Sequence, residues 1–198
     1  GYVAADLVSG VVHWLADTFG SESTPLIGAN FIRPFRVHHT DPKEILRHDF
    51  VETNGSSCIV AAPVLAIAYA GIPPAASLWS TFLLGLTLSF CLAILATNQF
   101  HKWAHMDNAP PWVRALQGAF LILRPAHHDR HHREPFDKSY CITTGWWNPM
   151  LDRMKLFTKL ESALASAFEK SRKPQATSLL DRFESGRIPP APHTYTRK

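Results

Sequence analysis

The stretch "GIPPAASLWSTFLLGLTLSFCLAILATNQF", residues 71–100, decides the fold. It lies inside a longer block, Thr53 to His101, that holds no Asp, Glu, Lys or Arg. A soluble helix keeps one polar face in water, so a block this long without charge points away from a soluble domain. About 20 apolar residues cross a bilayer core, and the block is too long for one crossing. "GIPPAAS" (71–77) divides it, because two prolines and a glycine stop a helix and make a turn. The first half, Ser57–Ile72, is short and contains Pro63; the second, 78–100, is a full span. The expected unit is a transmembrane helical hairpin.

Working outward, charge crowds into residues 20–52 and 102–198. Arg33, Arg36, Lys43 and Arg47 precede the hairpin, and Lys102, Arg114, Arg124 and Arg130 follow it. Both outer ends of a hairpin lie on one side, and the positive-inside rule makes that side cytoplasmic. The fold class expected is all-α: a polytopic membrane helical protein with a cytoplasmic-side histidine cluster. The segment Gly1–Ala16 carries one charge, Asp6, and lacks a signal-peptide n-region. It reads as a transmembrane helix whose beginning, with any earlier spans, is missing, so the N-terminus is taken as truncated. "PPWVRALQGAFLIL" (110–123) reads as an interfacial helix and "MLDRMKLFTKLESALASAFEKS" (150–171) as a surface-lying one. A membrane domain over residues 1–172 is then followed by a flexible tail, 173–198.

The net charge of +4 fits an anionic membrane surface. No nucleic-acid motif is present, and nucleic acid is not an expected partner. Cys58, Cys91 and Cys141 are odd in number and far apart, which excludes a disulfide framework and reads as buried apolar side chains.

Ten of the eleven histidines fall in groups. His13 and Asp17 are four apart, as are His101 and His105, so each pair shares a helix face. His38 and His39 are adjacent, and His48 follows. In "HHDRHH" His128, His131 and His132 stand at helical spacing, with His127 at the edge of that arc. Converging imidazoles repel once protonated, and a divalent metal keeps them neutral by taking the lone pair. A catalytic metal takes about three or four protein ligands, so eight or nine candidates imply two ions. Imidazole suits zinc, copper, iron and nickel alike. Asp41, Asp49 and Asp129 are candidates to orient imidazoles by accepting the second ring N–H. His193, in the tail, is given no role. Near the membrane surface, oxidation of an unactivated C–H bond needs a metal–oxygen species, which makes iron with dioxygen the economical choice.

At this point "HWLADTFGS" (13–21), "FIRPFRVHHTDP" (31–42), "RHDFVETNG" (47–55), "TNQFHKWAH" (97–105) and "HHDRHHREPFDKSYCITTGWWN" (127–148) together resemble the plasmanylethanolamine desaturase family, also called the Kua or lipid desaturase domain family. The likeness covers residues 1 to about 165. It implies a di-iron oxidoreductase that uses O2 to desaturate the sn-1 O-alkyl chain of a plasmanyl ethanolamine phospholipid to the vinyl ether of plasmalogens. Two Fe ions are implied as cofactors, with electrons from cytochrome b5 or a ferredoxin-type carrier. Carried over by motif, the ligands are His13, His38, His39, His101, His105, His128, His131 and His132. Asp17, His48, His127, Asp41 and Asp129 stand next as ligands or supporting groups. Arg33, Arg36, Trp146 and Trp147 are candidates for the lipid head group. The membrane would be the endoplasmic reticulum in a eukaryote and the inner membrane in a bacterium.

Three rival readings stay open. An acyl-lipid desaturase or hydroxylase shares the chemistry. A non-catalytic metal-binding membrane protein belongs to another class. A zinc-dependent membrane hydrolase lacks an HExxH box.

Overall fold

The computed structural model describes residues 1–73 and 77–167, so the expected tail, 173–198, and His193 lie outside the described residues. These form two units, Gly1–Lys155 and the chain from Leu156 onward. In the second, residues 156–167 are helical. The first contains α1 (Tyr2–Thr18), a π-helical turn (Gly28–Ile32), α2 (Arg33–Thr40), a 3-10 turn (Glu44–Arg47), α3 (Phe50–Gly71), α4 (Leu78–Ala104), α5 (Pro111–Gly118), α6 (Pro125–His128) and α7 (Asn148–Met154). No strand occurs among the described residues.

The hairpin is α3 and α4. Both are long and apolar enough to cross a membrane. Only 17% of the most apolar window of each is buried inside the molecule, which a soluble core helix would not show. Ile59, Ile67, Phe82 and Leu92 are exposed, as lipid-facing residues are. These features make the protein membrane-associated. The first helix starts earlier than the apolar pattern predicts, at Phe50 rather than Ser57, because a capping box starts it there. Asp49 accepts from the Glu52 backbone N–H at 2.8 Å, and Glu52 accepts from the Asp49 N–H at 2.9 Å. Ser77 and Ser80 cap α4 in the same reciprocal way. That helix runs on to Ala104, so His101 belongs to it.

Helix α1 packs on α4 and on the segment 139–147. The lone charge of its apolar run explains part of this. Asp6 is fully buried and accepts from the backbone N–H groups of Thr144 (2.8 Å), Gly145 (2.9 Å) and Trp147 (3.3 Å). Gly10 permits the close approach, since a Cβ there would stand 2.4 Å from Cys141 Sγ. The Trp147 indole N–H donates to the Val3 carbonyl and that of Trp146 to the Phe120 carbonyl.

Three expectations are corrected. The interfacial helix ends at Gly118, not 123, where Phe120 takes a left-handed conformation (φ 61°) under the Arg124 guanidinium. The helix expected over 150–171 is broken at Lys155, which is left-handed (φ 49°). The helix expected through "HHDRHH" is a single turn, α6, after which residues 129–132 form turns.

Candidate metal centre

The cluster is built by four parts of the first unit. His13 and Asp17 come from the end of α1, and His38 and His39 from α2. His101 lies in the last turn of α4 and His105 caps it. His128 ends α6, and His131 and His132 follow in the turns. Two groups result. His38, His101, His105, His128 and His132 form one; His13, Asp17, His39 and His131 form the other. In each, one candidate ligand atom per residue lies within 4.8 Å of all the rest. The groups adjoin: His131 and His132 ring centroids are 5.5 Å apart, and His39 and His132 5.6 Å.

Sequence neighbours therefore part company. His38 and His39, successive on a helix, point into different groups, as do His131 and His132. The expected single face for His128, His131 and His132 does not exist. Leaving the helix after His128 lets His132 turn back to it, Nε2 to Nε2 at 3.0 Å, while His131 turns to Asp17.

Proton bookkeeping decides what the groups suit. In the second group the His13 Nδ1–H donates to the Tyr140 carbonyl at 3.1 Å, and the His131 Nδ1–H donates to the Lys138 carbonyl at 2.8 Å. A carbonyl only accepts, so each neutral ring carries its lone pair on Nε2. Those two Nε2 atoms are buried with no hydrogen-bond partner. They face Asp17 Oδ2 at 3.4 and 3.5 Å, and His39 Nε2 stands 3.0 Å from the same oxygen. Lone pairs gathered on a carboxylate repel unless a cation lies among them. In the first group His128 Nε2 is 2.7 Å from His101 Nε2 and 3.0 Å from His132 Nε2, which is itself 3.1 Å from His38 Nε2. His105 Nε2 is 3.2 Å from His101 Nε2. One proton cannot serve several such neighbours. Metal–nitrogen bonds of about 2.0–2.1 Å bring cis ligand nitrogens to roughly 3 Å from one another. Both donor sets fit a transition-metal ion.

Four rings of the first group are also held neutral. Burial, then the neighbouring rings, lowers His105 from 6.5 to about 4 and His132 to about 3. His38 and His128 are pushed well below the ordinary histidine range for the same reasons.

The remaining candidates stand elsewhere. His48 Nε2 is 2.9 Å from Glu44 Oε1 and joins neither group. His127 packs on Gly145, where a Cβ would lie 3.2 Å from its ring. Asp41 pairs with Arg47 at 2.6 Å, Asp49 caps α3, and Asp129 is exposed beyond α6. None of these carboxylates orients an imidazole; two backbone carbonyls do so instead. Arg36 donates to the Gly20 carbonyl at 2.9 Å just past α1, and Arg33 lies 3.8 Å from Glu22. With both indole N–H groups bound to carbonyls, Trp146 and Trp147 are joints between segments. Asp17 was legible only through its spacing from His13. The carbonyls of Lys138 and Tyr140 leave no mark in a sequence.

Comparison with known proteins adds to this geometry. A family model described as the lipid desaturase domain matches residues 2–176. The chain is 48% identical over 167 residues to a plasmanylethanolamine desaturase of Myxococcus xanthus, covering 84% of this chain and 59% of that protein. It is 43% identical over 174 residues to plasmanylethanolamine desaturase 1 of Mus musculus, covering 83% and 62%. It is also 38% identical over 164 residues to the chloroplastic fatty acid desaturase 4 of Arabidopsis thaliana, covering 81% and 48%. The chain thus spans about six-tenths of the length of the first two. No solved structure matches it.

Proposed function

The chain belongs to the lipid desaturase domain family, and from that premise we propose that it is a di-iron oxidoreductase of the membrane. Its substrate is the sn-1 O-alkyl chain of a plasmanyl ethanolamine phospholipid, and its product the vinyl ether. The reaction takes one hydrogen from carbon 1 and one from carbon 2. With two electrons and two protons from outside, those hydrogens reduce O2 to two waters. The observation that carries the proposal is the pair of adjoining donor groups, five histidines beside three histidines and Asp17, at the end of an apolar hairpin.

In this reading His38, His101, His105, His128 and His132 would hold one iron, and His13, Asp17, His39 and His131 the other. Two irons supply the oxidising power for an unactivated C–H bond, which no side chain has. The protein's own share is arrangement. The Tyr140 and Lys138 carbonyls fix the tautomers of His13 and His131, so both present Nε2. Burial favours the neutral ring at His38, His105, His128 and His132. The imidazole-rich first group and the carboxylate-bearing second differ in charge, so the two ions would not be equivalent.

The basic residues Arg33, Lys43, Arg47, Lys102 and Arg114 favour the cytoplasmic side for this end of the hairpin. An electron carrier such as cytochrome b5 would approach there. Lipid extracts of cells with and without the full-length protein test the function: acid-labile vinyl ethers should appear with it, only under oxygen. A rise in acyl-chain unsaturation with no vinyl ether would favour the second reading, an acyl-lipid desaturase, which the likeness to fatty acid desaturase 4 supports.

A further inference from the structure

Two cavities open beside the histidine cluster. The first is the more polar of the two and is lined by His38 and His101 of the cluster together with Glu44, His48, Thr53 and Asn98. The second is apolar and lies among α1, α3 and α4, where Val8, Val12, Val60, Ile94 and Ile142 wall it. They meet at four residues common to both, Phe31, Phe35, Ser56 and Asn98. No cluster histidine lines the apolar cavity.

We propose that the two cavities form one lipid slot whose polarity sets which carbons react. Resting on the desaturase reading above, the slot takes the hydrocarbon tail of the sn-1 chain in the apolar cavity. The glycerol end and head group lie in the polar one. Along α4 the lining residues run Ile94, Asn98, His101, and along α3 they run Val60, Ser56, Thr53, so the junction separates the apolar wall from the imidazoles and the polar side chains. The order along the lipid is head group, ether oxygen, carbons 1 and 2, tail. Superposing the two places the carbons nearest the ether beside His38 and His101. Carbons further down the tail sit among valines and isoleucines, where nothing can oxidise them. Head-end selectivity then needs no residue that counts carbons. It follows from the cluster's position at the polar side of the junction. Reversing the lipid would bury a charged head group among apolar side chains at a cost of many fold in occupancy.

Photolabelling tests this without turnover. The full-length protein in its membrane is given alkyl phospholipids bearing a diazirine at mid-chain or in the head group. Mid-chain label is expected on Val12, Ile94 and Ile142, and head-group label on peptides spanning residues 44–53. Mid-chain label on residues 44–53, or confined to the outward-facing Ile59, Ile67 and Leu92, would overturn the slot. As a second measurement, Val60→Phe and Ile94→Phe narrow the apolar cavity. Each should shift product several-fold toward shorter alkyl chains while the double bond stays at carbons 1 and 2. An unchanged chain-length profile, or a moved double bond, would also overturn it. A wild-type protein that labels as expected yet makes no vinyl ether would strike the substrate assignment and leave the slot standing.

Discussion

At Asp17 three imidazoles meet one carboxylate. His13, His39 and His131 each bring Nε2 within 3.5 Å of Oδ2, and two of those nitrogens have their proton held on the far side of the ring. Asp17→Ala should therefore empty the second group and spare the first. Iron per chain should fall from about two to about one, by elemental analysis of purified protein, with activity lost at least tenfold, as supporting and ligand changes at metal sites commonly cost. His128→Ala acts on the other group, where its nitrogen bridges His101 and His132. It too should halve the metal and abolish activity, with membrane insertion intact. His127→Ala should keep both metals, since its ring packs on Gly145 outside both groups. Full metal in either of the first two variants would show that the group concerned is not a site. Most of these residues could be read from spacing alone. Their division into two groups could not, because it depends on turns after His128 that place neighbouring side chains on opposite sides. Nor could Asp41 and Asp129 be told from orienting carboxylates without seeing Arg47 beside one and solvent around the other.

At the scale of elements, the hairpin was legible because a bilayer imposes length and the absence of charge on α3 and α4. Their polar contacts were not. Asn54 donates to Gln99 at 3.3 Å and Asn98 to Ser57 at 3.2 Å, across the two helices near their charged ends. Asn54 is buried, so its amide has no water to fall back on. A double-mutant cycle with Asn54→Leu and Gln99→Leu should give a coupling of about 0.6 kcal/mol, with roughly 1.7 as a ceiling for such pairs. Unfolding in mixed detergent micelles measures it. Zero coupling would mean that packing alone registers the hairpin. The starts of both helices obey capping chemistry that the sequence does carry. Asp49 with Glu52 moved the first start to Phe50, ahead of the apolar run, so the apolar pattern alone misplaced it by about two turns.

For the whole molecule the question is which side of the membrane holds the cluster. The exposed faces of α3 and α4 carry Ile59, Ile67, Phe82 and Leu92, which water would not tolerate as one contiguous patch. The two cluster-bearing ends carry Arg47 and Lys102, and the turn between the spans carries no charge at all. Moving charged ends across the hydrocarbon costs far more than moving the turn, so in the proposed topology the turn would cross and the ends would stay cytoplasmic. Cysteine accessibility can test this. In a background with Cys58, Cys91 and Cys141 replaced by alanine, Arg47→Cys, Pro73→Cys and Asp107→Cys are single probes at exposed positions. An impermeant maleimide should label positions 47 and 107 only in inside-out vesicles, and position 73 only in vesicles of the opposite orientation. Positions 47 and 107 labelling from different sides would break the hairpin. All three labelling with inverted sidedness would keep the hairpin and put the cluster on the other face, where a cytoplasmic electron carrier could not reach it.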